Sequence, residues 1–151
     1  MSDGMSKNTK IVSWVLRVLA AILFLFPVGA IPKLMGDPYA VQLFEKLGAG
    51  DAGRYGVAVM ELIAAALLLI PKTAVYGGIF GALLMIGAIG SHLTKLGIVV
   101  EFNINGVVEK NPMLFGLAVL NLLLCAATVY VNRANLPIGG KTHGGAAPAA
   151  S

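Results

Sequence analysis

The sequence predicts an all-α fold, a bundle of four transmembrane helices, and three observations predict it. Hydrophobic residues make up 58% of the 151-residue chain and charged residues only 12%, with a mean hydropathy of +0.85, well above that of a soluble domain. A water-soluble fold this small needs a charged shell, yet the seven acidic and eleven basic residues fall almost wholly between apolar runs. There are four such runs, each close to the ~20 residues that a helix needs to cross a bilayer. The lipid bilayer is therefore the first expected partner.

The first span follows a polar N-terminal segment, residues 1–10, that carries Lys7 and Lys10, and runs from Ile11 to about Ile31, interrupted only by Ser13 and Arg17. A basic stretch before an apolar one also resembles a signal peptide, but the run is long and three more follow, so it is read as a span. Pro27 should kink or end the helix and Pro32 should stop it. In the connection that follows, Asp37-Pro38 supplies a cap and a first turn, Val41, Phe44 and Leu47 recur at helical spacing, and Gly48 suits the exit. This predicts a short interfacial helix after the first span.

The second span, about Tyr55–Ile70, and the third, about Ala74–Leu93, are separated only by Pro71, Lys72 and Thr73, which predicts an antiparallel helical pair. Between the third and fourth spans, Ile98–Val108 is rich in valine, isoleucine and phenylalanine and contains Asn105-Gly106, a dipeptide favoured in tight turns. A small hairpin is expected there, capping one end of the bundle together with the interfacial helix. The fourth span, Met113–Val131, opens after Pro112, which suits a first helical turn, and Arg133 lies beyond its end. The membrane domain thus covers 11–133. The tail at 134–151 has a glycine, alanine and proline composition that cannot bury enough surface to order. Trp14, Tyr55, Tyr76 and Tyr130 fall near span ends, where amphipathic rings anchor at the interface.

Four spans place both termini on one side of a multi-pass protein. Loop lysines and arginines balance across the two sides, and Arg17 tips the positive-inside rule toward cytoplasmic termini. The formal charge of +4 is spread over single basic residues without a stripe or binding motif, which argues against nucleic acid. Cys125 is the only cysteine, so the chain has neither an internal disulfide nor a CxxC pair. No haem-ligand pair, cluster of iron-sulfur cysteines or nucleotide fingerprint stands out, so no cofactor or metal is evident from the residues.

Candidate functional residues are the polar ones inside the apolar runs. Glu61 lies ~10 Å into the second span at 1.5 Å per residue. A carboxylate at that depth faces the bundle interior, either as a site for a cation, proton or polar ligand or as a structural tie between helices. Arg54 lies two turns earlier on the same face, pointing toward Glu61 or snorkelling to headgroups. Lys33 and His92 end the first and third spans at the same mouth, where the alternatives are an interfacial anchor for Lys33 and a capped or solvated imidazole for His92. Arg17, nearer the other face, is expected to snorkel, with a pairing to Glu61 also open. Asn121, Cys125 and Thr128 form a faint polar stripe suited to interhelical hydrogen bonds. Gly77 and Gly81 make a GxxxG step that lets backbones approach within the chain or between two copies, so a homo-oligomer through this glycine face is a further expected partner. Gly78, Gly81, Met85 and Ala88 share a face with His92, a packing surface first and a cavity wall second.

Arg17, Gly29 with Lys33-Leu34, Phe44-Glu45-Lys46-Leu47-Gly48, Gly56 to Glu61-Leu62, Pro71, and Ser91-His92-Leu93 follow one another in an order that resembles the DoxX-like family of small four-helix membrane proteins. The resemblance covers about Ile11–Val131. It implies residence in the cell inner (plasma) membrane and an accessory or quinone-associated role beside a membrane oxidoreductase, with quinone as the implied cofactor and an oxidoreductase protein as partner. It also implies that Arg17, Lys33, Glu61 and His92 form an inward-facing polar set. Other relatives assist receptor assembly. Two further functions therefore stand beside the first: transport or binding of a small molecule or proton through Glu61, and membrane-protein assembly. Whether this chain is itself an enzyme is left open.

Overall fold

A computed structural model describes residues 4–136 of the chain. Ser6 opens the first helix, α1 (Lys7–Leu25), its hydroxyl accepting the Thr9 N–H at 3.2 Å. This N-cap carries the helix four residues ahead of the predicted start at Ile11. Phe26, preceding Pro27, is extended, as the clash with a proline ring requires. The expectation for Pro32 fails. The chain resumes as α2 (Ala30–Met35) with Pro32 in its first turn, where the missing N–H has no helical partner to lose. Gly29 permits this break, since a Cβ there would strike the Phe24 carbonyl and lie 2.7 Å from the carbonyl carbon of Leu25.

The predicted short helix is α3 (Pro38–Leu47): Asp37 accepts the N–H groups of Tyr39 and Ala40 at 3.0 and 3.4 Å, and Gly48 leaves it in the left-handed conformation. The next helix, α4 (Gly50–Leu69), starts five residues before the predicted Tyr55. Arg54, Ala58, Glu61, Ala65 and Leu68, three or four residues apart, are buried along it, so its first turns are tied down by packing. Ile70 is extended before Pro71, and α5 (Ala74–Ser91) follows, continuing as a π-turn over His92–Leu96. The predicted hairpin is β1 (Val100–Ile104) paired antiparallel with β2 (Val107–Asn111), with positive φ at both Asn105 and Gly106. Finally α6 (Met113–Val131) has the predicted bounds, and Arg133–Asn135 form a 3-10 turn. Apart from its first three residues, the predicted tail at 134–151 lies outside the described residues.

Among the described residues, four helical segments are long and apolar enough to cross a membrane: α1 continued through α2, α4, α5 with its π-turn, and α6. Helices α1 and α5 each pack against both α4 and α6. Their common core is built from small residues around one large ring: Ala20, Ala21, Phe24, Ala64, Ala65, Leu68, Met85, Ala118 and Cys125. Small side chains let helix backbones approach closely, which is the source of attraction between helices when the surroundings are as apolar as the side chains. A Cβ at Gly77 would lie 2.6 Å from the Leu68 nitrogen, and one at Gly81 would lie 2.8 Å from both Cys125 Sγ and the Phe24 ring. The Gly77–Gly81 step is thus committed to contacts inside the chain, whereas Gly87 and Gly90 have open space. Trp14, Tyr55, Tyr76 and Tyr130 all point outward.

One end of the helices is covered by a cap. Tyr39 stacks edge-on against Phe102 and its hydroxyl donates to Glu109, while Gln42 exchanges two hydrogen bonds with the Asn103 backbone at 2.8 and 3.0 Å. Lys95 donates to the Leu47 carbonyl at 3.2 Å. A second cluster of Val100, Phe102 and Leu114, flanked by Val28, Tyr39, Leu43 and Leu96, seals α3 and the hairpin onto the helix ends.

Candidate functional site

Beneath this cap lies a cavity of ≈ 360 Å³, within the range of small-molecule sites. Its walls are largely aliphatic, with Leu43, Phe44 and Leu47 of α3 closing the top and Met85, Ala88 and Ala118 the sides. Four of the six candidate residues line it: Lys33, Glu61, His92 and Asn121.

Lys33 reaches the cavity because the break at Pro27 and Gly29 sets α2 against α4. Its Nζ lies 2.9 Å from both Glu61 oxygens and 2.6 Å from the Val28 carbonyl. Each side chain of the pair is 7% exposed, so Lys33 is not an interfacial anchor. The π-turn places His92: Gly97 donates its N–H to the His92 carbonyl at 2.8 Å and accepts from the imidazole Nδ1 at 2.9 Å. A carbonyl can only accept, so Nδ1 carries the hydrogen of this bond. The ring also packs edge-on against Phe115. Asn121 is 2% exposed, and its Oδ1 has no hydrogen-bond partner among the described residues.

The other expectations need correction. Arg17 does not snorkel and does not meet Glu61. It is buried and donates from Nε to the Leu68 carbonyl at 2.6 Å and from Nη2 to the Leu69 carbonyl at 2.7 Å, satisfying the end of α4, where a cation also suits the helix dipole. Arg54 likewise is buried without reaching Glu61. It donates to the Lys33 backbone carbonyl and to Asp51, the latter at 2.7 and 3.2 Å, so it holds the α2 backbone that carries Lys33. Nor does the α6 stripe bond across helices: Thr128 donates to Leu124 one turn back at 2.8 Å and Cys125 packs in the core. The polar link between helices there is instead Ser13 to Asn132, at 2.8 Å.

Sequence reasoning missed the mouth of the cavity. Met60 of α4 and Leu83 and Gly87 of α5 line the cavity yet are exposed, so it opens sideways between these two helices at mid-length, onto the apolar outer surface. Near the Pro71 turn the same helices are drawn together by Gly77 against Leu67 and Leu68. The spacing of exposed large residues on α4 and α5 carries no mark of a gap, because a lipid-facing leucine and a mouth-lining leucine are chemically alike. Searches with this chain matched no known protein family, no curated protein and no solved structure.

Proposed function

We propose that the chain is a four-transmembrane-helix bundle of the DoxX-like type in a cell inner membrane, acting as a quinone-associated accessory subunit of an oxidoreductase system. In this reading α3 and the hairpin lie at one membrane surface, and the cavity holds a lipid-soluble ligand with a polar head. The observation that carries it is the cavity itself: apolar walls, a few polar residues, and a mouth on the apolar outer face between α4 and α5. Side chains lining an apolar cavity of this size lack contacts on one side, and an apolar occupant restores them. The geometry therefore favours an occupant, and the sideways mouth favours one drawn from the bilayer. The quinone class comes from the family resemblance. With one core cysteine and no dithiol, the chain's own residues supply no thiol redox couple, which suits a subunit that holds a carrier for a partner.

The test is native mass spectrometry of the protein purified in gentle detergent, for wild type and for Gly87→Phe, which narrows the mouth at a position with open space. A quinone-class molecule retained by wild type and lost in Gly87→Phe is expected, with an oxidoreductase subunit co-purifying. A wild-type protein that carries no lipid-soluble molecule and binds no added quinone overturns the reading.

A further inference from the structure

The two ends of the helices differ in charge. Three hydrogen bonds tie α1 to its neighbours at the end away from the cap: Ser13 donates to Asn132 Oδ1 at 2.8 Å, and Arg17 donates to the Leu68 and Leu69 carbonyls. Lys10 precedes Ser13 by about one turn of α1, Arg133 follows Asn132, and Lys72 lies in the turn just beyond α4, so all three fall outside those contacts, with Lys7 further out still. The four side chains are exposed, and none has a carboxylate partner among the described residues. Of the described acids, Glu61 is buried in the cavity wall, and Asp37, Glu45, Asp51, Glu101 and Glu109 lie on or beside α3, at the start of α4 or on the hairpin. There Lys33, Arg54 and Lys110 each pair with one of them. Counted by bases alone the two ends balance, and the acids break the tie.

Aromatic rings accompany these bases. Lys7, Lys10 and Trp14 recur at steps of three and four residues, which is one face of α1, and all three are exposed. The Arg133 guanidinium lies 4.0 Å from the centre of the exposed Tyr130 ring and donates from Nη1 to the Tyr130 carbonyl at 2.9 Å, one of its five N–H groups. Tryptophan and tyrosine settle at the level of the headgroups, which puts the cations beside them at the depth of lipid phosphates. We propose that this end of the protein is a contact surface for anionic phospholipid headgroups, with Lys7, Lys10, Lys72 and Arg133 as its cations. The inference rests on the helices spanning a bilayer and is independent of what the cavity holds. Charge complementarity selects the occupant: a phosphatidylglycerol headgroup brings a phosphate without a cation of its own, whereas a zwitterionic headgroup sets an ammonium group among four bases. One lysine or arginine close to an anionic surface is worth about fivefold in affinity. The end at which α1 starts and α6 stops therefore belongs in the more anionic leaflet.

The experiment uses Trp14, the single tryptophan of the chain, as its reporter. The full chain is reconstituted in mixed vesicles of phosphatidylcholine and phosphatidylglycerol, with one lipid or the other brominated high on its acyl chains, and Trp14 quenching against composition gives the relative affinity of the two lipids for this face. Wild type is expected to prefer phosphatidylglycerol about fivefold, a preference that shrinks in high salt. In the folded variant Lys7→Gln/Lys10→Gln/Lys72→Gln/Arg133→Gln the ratio is expected to fall toward one. Equal affinity of the two lipids for wild type overturns the headgroup surface and leaves the membrane-spanning reading standing. A preference that survives in the fourfold variant overturns its assignment to these residues. Absence of quenching by either brominated lipid removes the membrane-spanning reading and this inference with it.

Discussion

Lys33→Met is expected to destabilise the protein more than loss of the whole Lys33–Glu61 pair. Glu61 accepts from Lys33 at 2.9 Å on each oxygen and has no other hydrogen-bond donor among the described residues. With each side chain 7% exposed, truncating either partner strands a charge in an apolar wall, which typically costs about 3–5 kcal/mol. Glu61→Leu has a slightly softer outcome, because the ammonium keeps the Val28 carbonyl at 2.6 Å. In Lys33→Met/Glu61→Leu no charge remains and the principal loss is the Val28 contact, about 1 kcal/mol. The assay is reversible detergent-denaturant unfolding of the four members of the cycle. A double variant more stable than either single one, with a coupling of about 5–8 kcal/mol from these figures, is expected. Additivity within about 0.5 kcal/mol would refute the claim that the pair is buried and mutually dependent.

The glycines of α5 should respond oppositely at two positions less than two turns apart. Gly81→Ala drives a methyl into Cys125 and Phe24 and should cost about 1–3 kcal/mol, whereas Gly87→Ala should be neutral or stabilising by up to about 1 kcal/mol; parallel melting curves decide. Arg17→Met should cost about 1–3 kcal/mol by stripping the Leu68 and Leu69 carbonyls of their donor, and Arg17→Lys should recover part of it; equal melting of Arg17→Met and wild type would deny the capping role. For Tyr39, the hydrogen bond to Glu109, then burial and the neighbouring carboxylates, hold the phenol above its ordinary value. Because the folded value is the higher one, the Tyr39 contribution is fully present below about pH 10 and is lost as pH rises through the folded value. Spectrophotometric titration of wild type against Tyr39→Phe should show this late-titrating phenol, and Glu109→Gln should bring it back toward the usual range.

Much of the architecture was legible because local chemistry dictates it. A backbone in lipid must satisfy its hydrogen bonds within a helix, so the four apolar runs announce four helices, and Pro71, Asp37, Gly48 and Asn105-Gly106 mark breaks and turns whose causes lie within a few residues. The start of α4 was not legible: Gly50, Asp51 and Arg54 look like loop until Arg54 finds the Lys33 carbonyl, a partner 21 residues away. Pro32 misled for a related reason, since whether a proline stops a helix or opens one depends on where the preceding turn ends.

The candidate site divides along the same line. That Glu61, Lys33, His92 and Asn121 are costly inside apolar runs follows from composition and depth alone, so the sequence marked them all. Which of them meet was decided by the tertiary structure. Glu61 had Arg17, Arg54 and Lys33 as charged candidates, and only the break at Pro27 and Gly29, which sets α2 against α4, brings the Lys33 ammonium to both of its oxygens. Arg17 and Arg54 turn to backbone carbonyls instead. Helix periodicity determines which face a residue occupies, but the cavity between α4 and α5, and the close approach of Gly77 to Leu67 and Leu68 at their other end, are properties of packed surfaces.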